Sequence, residues 1–235
     1  RQNTTYTSRK LRGLFVTQKN QRFQVEIPGR LYWRRQINCQ DACPVHTDAR
    51  AYVRAISEGN HELAYLIARG PNPFASICGR ICGAPCEANC RRGDVDRPIS
   101  IRALKRFVTE QFGPESQPDN HQYFRTWLKS RILPQLCQSR EELLWLLERS
   151  PAPPGLPEAA IIGSGPAGLS CAHDLALLGV RPIVYEMEPV PAGMLYLGVP
   201  EYRLPREVIR AEVELIEALG VEIRCGVQIG RDIDF

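Results

Sequence analysis

Six of the nine cysteines fall between residues 39 and 90, as Cys39-x3-Cys43-Pro44 and then Cys78-x3-Cys82-x3-Cys86-x3-Cys90. Thiolates that converge on one site bind soft or borderline metals. Structural zinc usually sits in paired C-x2-C or C-x4-C knuckles, whereas this run repeats an x3 spacing. Cysteine followed by proline is also a feature of ferredoxin-type ligand runs. An iron–sulfur cluster is therefore the leading reading, with zinc and free thiols as the alternatives. The odd total and the clustering argue against a disulfide framework and for a reducing compartment. Gly79, Gly83 and Pro85 are expected to keep residues 78–90 from forming one continuous helix, so that the thiols curl round a cluster.

A second site begins at Glu158. The run Ala159-Ala160-Ile161-Ile162 reads as a short buried strand, followed by the turn Gly163-Ser164-Gly165-Pro166-Ala167-Gly168 and a helix to about Leu178. Gly179 ends that helix, and residues 182–186 form the next strand, closing on Glu186. In such a turn the first glycine makes the bend, the second admits a pyrophosphate, and the third lets helix and strand pack closely. The phosphates then lie at the positive end of the helix. Glu186 comes 21 residues after Gly165, where a carboxylate accepts bonds from ribose hydroxyls. Strand, helix and acid meet the context test for a dinucleotide site. The turn alone does not choose between FAD and NAD.

The next stretch, PAGMLYLGVPEYRLPREVI at 191–209, resembles the flavin-binding signature of the glutamate synthase small subunit and of the N-terminal half of dihydropyrimidine dehydrogenase. The cysteine segment, CQDACP followed by NPFASICGRICGAPCEANC and ISIRALKRF, is similar to the Fe–S domain that precedes the flavin domain in that family. The resemblance implies an α+β multidomain chain: a helical, ferredoxin-like Fe–S domain followed by a partial Rossmann-type α/β domain that binds FAD. It carries flavin contacts onto Ser164 to Gly168, onto Glu186, Met187, Gly193 and Met194, onto Arg203, and onto the backbone near Ile229. It also implies electron transfer between NAD(P)H and a partner protein. The alternative is a non-catalytic relay or docking subunit of a larger redox complex. The family's NAD(P)H domain is expected to lie outside this chain, which stops at Phe235.

Departures from the pattern limit the clusters. Fuller members carry a further C-x2-C before the first cysteine and hold two clusters; here those positions fall among Tyr32, Trp33, Arg34 and Arg35. The helical position at which dihydropyrimidine dehydrogenase uses a glutamine ligand matches Lys105-Arg106. Six cysteines cannot make two all-cysteine clusters, which need eight. One 4Fe–4S cluster is expected, held by Cys43, Cys82, Cys86 and Cys90. Cys39 and Cys78 are left over, and a second cluster using them needs ligands from another chain. Ala192 stands where the family usually has glycine.

The elements that must position these groups are mostly local. Thr47 is expected to cap a helix through about Ser57, and Asn60 another through about Arg69, ended by Pro71 and Pro73. A third helix spans about 100–112, with Ile101, Leu104, Phe107 and Val108 on one face. The expected divisions are a basic arm (1–37), an Fe–S domain (38–113), a helical connector with a proline-rich linker (114–157) and the Rossmann domain (158–235). The connector carries an apolar stripe at Leu143, Leu144, Trp145 and Leu147, and the linker is the clearest boundary.

The overall charge of +4 hides an asymmetry. Residues 1–37 hold nine Lys or Arg and one acid, while the rest carries 21 bases and 25 acids. Such an arm either docks on an acidic subunit or anionic membrane surface, or is a solvated tail. Nucleic acid is not expected, since no binding module is present and the remainder repels phosphate. No run approaches the ~18 apolar residues of a membrane span, so the location is expected to be cytoplasmic, at most peripheral to the inner face of a membrane complex. His46, His61, His121 and His173 show no ligand or triad spacing, and Cys137, Cys171 and Cys225 read as core. No catalytic acid–base pair stands out, consistent with chemistry carried by cofactors.

Overall fold

The computed structural model describes residues 15–19, 24–29, 32, 36–116 and 158–234. The apolar stripe at 143–147, the proline-rich linker, Cys137 and His121 lie outside the described residues. Within the basic arm, β1 (Phe15–Lys19) and β2 (Gln24–Pro28) pair antiparallel, with Phe15 opposite Pro28. The arm is thus folded back on itself there rather than extended.

The cysteine-rich unit is helical throughout: α1 (Asn38–Asp41), α2 (Ala49–Ser57), α3 (His61–Arg69), α4 (Ala75–Ile81), α5 (Pro85–Ala88) and α6 (Ile101–Phe112). Asn60 caps α3 as expected, its side chain accepting from the Leu63 N–H at 3.1 Å. The cap of α2 is Asp48 rather than Thr47, accepting from the Ala51 N–H at 3.0 Å. Thr47 is buried and its hydroxyl instead accepts from the Cys43 thiol at 3.7 Å. Either residue type caps a helix; here the cap falls on the residue directly before Ala49.

Two expectations about this unit are corrected. The buried face of α6 carries Ile101, Lys105, Val108 and Thr109, while Phe107 is 42% exposed against His61. Gly79 does not interrupt the chain but lies inside α4, where a methyl group would sit 3.0 Å from Arg106 Cα. Its missing side chain lets α4 and α6 touch backbone to backbone. The break falls at Cys82–Ala84, where Ala84 takes φ +51, and Pro85 then starts α5.

The second unit runs β3 (Glu158–Ile162), α7 (Pro166–Leu177), β4 (Arg181–Glu186), α8 (Met194–Leu197), α9 (Arg206–Ala218) and β5 (Glu222–Cys225). Its sheet is parallel in the order β3-β4-β5, with Glu158 opposite Arg181 and Ile183 opposite Glu222. The strand read as buried is not: β3 pairs only with β4 among the described residues, and Ile162 is 60% exposed. Its apolar run is that of a central strand, and among the described residues one of its two sides is paired.

The two units share a core. Phe74 and Ile77 of the cysteine unit cluster with Leu169, Ala172, Leu204, Ile209, Val213 and Ile216, and Cys78 and Ile81 pack against the same cluster. In return Leu215 of α9 is buried among Tyr52, Tyr65, Ala68 and Val108. Burial of that kind contributes about 1.5–3 kcal/mol for each large side chain, so α4 and α9 are held together by packing as well as by chain connection.

Candidate functional site

The six clustered cysteines are all half-buried. Cys39 lies in α1 and Cys43 just after it; Cys78 lies in α4, Cys82 at its C-terminus, Cys86 in α5, and Cys90 before a short 3-10 turn at Arg91–Asp94. Burial pushes the Cys86 thiol up to about 11, and the charges of Cys43 and Cys82 add to the rise. The Ala84 N–H donates to Cys82 Sγ at 3.4 Å, and the Arg102 guanidinium donates to the Cys82 carbonyl at 2.6 Å. Cys43, Cys82 and Cys86 therefore occupy one neighbourhood.

Cys39 is raised by burial, and Cys90 is the thiol that adds to its shift. Both line a cavity of about 500 Å3 together with Arg50, Val53, Arg91 and Ile99. Cys78 lies deeper, its thiol pushed up by burial and drawn back by a hydrogen bond with Asn72 and by the charge of Lys105. Among the described residues no three His, Cys, Asp or Glu side chains converge as ligands of a single ion. A tetrahedral zinc needs thiolate sulfurs about 3.8 Å apart. A cubane cluster instead distributes its thiolates over separate irons, so half-buried thiols arranged around a loop fit a cluster better.

The glycine turn is built as its spacing requires. Gly163 takes φ +91, a conformation costly for any residue with a Cβ. A methyl group on Gly168 would collide with the Gly163 carbonyl, whereas one on Gly165 would meet nothing within 4 Å. That open space lies at the start of α7, whose first-turn N–H groups attract phosphate. Pro166 supplies the first helical residue, and Ala167 follows it, both exposed.

Glu186 organises the loops around this turn. Its Oε2 accepts from the Ser164 N–H at 2.8 Å and hydroxyl at 2.5 Å, and its Oε1 accepts from the Glu188 N–H at 3.0 Å. The Ser164 hydroxyl oxygen accepts from the Ala192 N–H at 3.1 Å. Burial raises the carboxyl, but the bonds from Glu188 and Ser164 outweigh it and hold Glu186 below the usual carboxylate range. Oε1, which accepts only one of these bonds, retains acceptor capacity toward a ribose hydroxyl.

Gly193, at φ +51, lies against the turn, where a methyl group would sit 3.1 Å from Gly165 Cα. Met187 and Met194 are largely exposed at the rim. Arg203 is exposed in the turn before α9. Ile229 follows two residues after Val227, whose N–H donates to the Glu186 carbonyl at 2.9 Å. One residue escaped the sequence reading: Arg206 donates to the carbonyls of Leu195 at 3.2 Å and Val199 at 2.9 Å, and its guanidinium stacks 4.7 Å over Tyr196. It clamps α8 in place. The only sequence signal was an arginine directly after Leu204-Pro205.

Comparison with known proteins agrees with both halves. Residues 29–117 match the family model of dihydropyrimidine dehydrogenase domain II, 4Fe-4S cluster. Residues 161–218 match an NAD(P)-binding Rossmann-like domain. Both matches bear out the resemblance to the glutamate synthase small-subunit and dihydropyrimidine dehydrogenase family.

Among its relatives is the NADP(+)-dependent formate dehydrogenase subunit beta of Moorella thermoacetica, 39% identical over 83% of this chain and 27% of that protein. The NAD-dependent dihydropyrimidine dehydrogenase subunit PreT of Escherichia coli O157:H7 is 33% identical over 83% of this chain and 41% of its own length. The glutamate synthase [NADPH] small chain of Halomonas elongata is 30% identical over 84% of this chain and 36% of its length. The chain therefore spans well under half of the curated relatives it matches. Among the described residues no helix is long and apolar enough to cross a membrane.

Proposed function

We propose that this chain is the electron-transferring portion of an NAD(P)H-linked oxidoreductase, with FAD at the glycine turn and one 4Fe–4S cluster at Cys43, Cys82, Cys86 and Cys90. The observation that carries the reading is the shared core. Cys78, beside the cluster loop, packs with the same residues that support the dinucleotide turn. Two redox groups bound at these places stay at a fixed separation, as electron transfer between them requires.

When bound, FAD supplies exchange of an electron pair with a pyridine nucleotide and of single electrons with the cluster. The protein's own part is positional. Gly165 and the first turn of α7 receive the pyrophosphate, Glu186 receives the ribose, and Arg206 holds the 194–199 segment that borders the flavin. Arg102 and the Ala84 N–H fix the loop that presents Cys82. The choice of FAD rests on the 191–209 block. The role of NAD(P)H rests on relatives whose names carry NADP(+), NAD and NADPH. The partner is a second redox protein in a reducing, cytoplasmic compartment, and the charge of the basic arm suits docking on an acidic surface of that assembly.

The test is a combined iron, sulfide and flavin assay on anaerobically purified protein. About four irons, four sulfides and one FAD per chain are expected. Iron with sulfide but no flavin favours a relay or docking subunit, and zinc alone overturns the reading.

A further inference from the structure

Helix α6 departs from an ordinary amphipathic pattern at Lys105, which is 8% exposed in the midst of its buried face. Surface lysines keep the ammonium in water while their stems pack. A buried one is costly unless negative or polarisable groups face it. Among the described residues Lys105 forms no ion pair with a carboxylate. Its Nζ lies over the ring of Tyr52, 5.9 Å from the centroid, within the usual range of a cation–π contact. Tyr52 is itself buried and donates its hydroxyl to the Ile101 carbonyl at 3.2 Å.

Thiols bear on both members of that pair. Cys39, Cys43 and Cys86 all bear electrostatically on Tyr52, and Lys105 bears on Cys78 and Cys86. Of the acids, Glu87 bears on Tyr52 and Cys86 and accepts from the Arg102 N–H at 2.7 Å, and Glu212 bears on Cys78. Arg102, one turn before Lys105, spends its guanidinium on the Cys82 carbonyl. Of the two basic side chains that α6 turns toward the thiols, one fastens the loop and the other brings a buried charge.

We propose that Lys105 is the fixed counter-cation of the thiolate site, favouring its reduced state and so raising the potential at which the site accepts an electron. This rests on the cluster reading above. One electron enters, no bond forms or breaks, no proton moves, and the total charge of the site becomes one unit more negative. A buried positive charge acts on that difference through a low dielectric and is little screened by salt.

The test is a dithionite titration of the full chain, followed by EPR, on K105M, K105Q and K105R, with iron and sulfide measured on each. K105M and K105Q are expected to keep wild-type iron and sulfide. At the poise where the wild type is half reduced, their ratio of reduced to oxidised cluster should fall roughly tenfold, equivalent to about 59 mV for one electron. K105R, which keeps the charge, should stay within about twofold. An unmoved ratio in both neutral variants, with iron content intact, overturns the charge role and leaves the cluster reading standing. Loss of iron from both neutral variants makes Lys105 a structural residue and also overturns it. Absence of iron and sulfide from the wild type overturns both readings together.

Discussion

Arg69 and Glu212 face each other across the seam between the cysteine unit and the Rossmann unit, Nε to Oε2 at 3.9 Å, with side chains 1% and 0% exposed. The pair is long for a hydrogen bond, and among the described residues the facing atoms find no other hydrogen-bond partner. The other oxygen, Glu212 Oε1, accepts from the Ser76 N–H of α4 at 2.9 Å, while Arg69 donates to the Asn72 carbonyl at 3.0 Å. One carboxylate of α9 thus holds the first turn of the helix that carries Cys78.

Removing one partner of a buried pair leaves the other charge uncompensated. Glu212→Ala should therefore cost roughly 3–5 kcal/mol in urea unfolding. Glu212→Gln keeps an acceptor for Ser76 and should cost less. Equal stability of Glu212→Ala and wild type would show that the seam is held by its apolar packing alone.

The same residue predicts a pH dependence. Burial raises Glu212 from the ordinary 4.5 to about 7, the opposing charge of Arg69 being too distant to prevent it. A folded-state pKa above the unfolded one means that the native state holds the proton more tightly. The associated stability is complete below pH 4.5 and is lost as pH rises through about 7. Unfolding midpoints measured from pH 5 to 8 should fall more steeply for wild type than for Glu212→Gln, and parallel curves would refute the assignment.

Two glycines of the turn should fail differently. Gly168→Ala forces a methyl group onto the Gly163 carbonyl, so the thermal midpoint followed by circular dichroism should drop. Gly165→Ala meets no protein atom within 4 Å, so its melting curve should match wild type while flavin content falls at least tenfold. A Gly165→Ala protein that retains its flavin would move the pyrophosphate away from this turn.

Ala192 adopts φ +82 while fully buried. Left-handed backbone costs an L-residue about 1–2 kcal/mol, and glycine gives back part of that gain through the entropy of the unfolded chain. Ala192→Gly should stabilise the protein by a few tenths to about 1 kcal/mol without loss of flavin. Destabilisation in a urea titration would mean that the packing of the methyl group outweighs the backbone strain.

A serine scan of the cysteines addresses the cluster directly. Substitution of Cys43, Cys82 or Cys86 should remove most of the iron and sulfide, and Cys90→Ser should do the same. Cys39→Ser and Cys78→Ser should retain both. Cys90 is the informative position, because it shares its cavity wall with Cys39. Full iron in Cys90→Ser would assign the fourth corner elsewhere.

Much of this protein is legible in its sequence because the relevant physics is local. A glycine that must bend at φ +91, an asparagine that caps α3 and a proline that starts α5 each act within a few residues of themselves. The cysteine spacing and the strand–turn–helix–acid order likewise announce the two sites without reference to distant groups. What tertiary structure alone decided depends on neighbours far along the chain. Gly79 is a packing contact because Arg106 lies against it, and Lys105 is buried with its ammonium over the Tyr52 ring. Thr47 yields the cap to Asp48, which accepts from the Ala51 N–H, while Thr47 is buried beside Cys43. The contact between the two units is likewise a matter of packing, since Phe74, Ile77 and Leu215 find their apolar partners across the seam. Periodicity tells which residues avoid water, but only the folded chain determines what they meet.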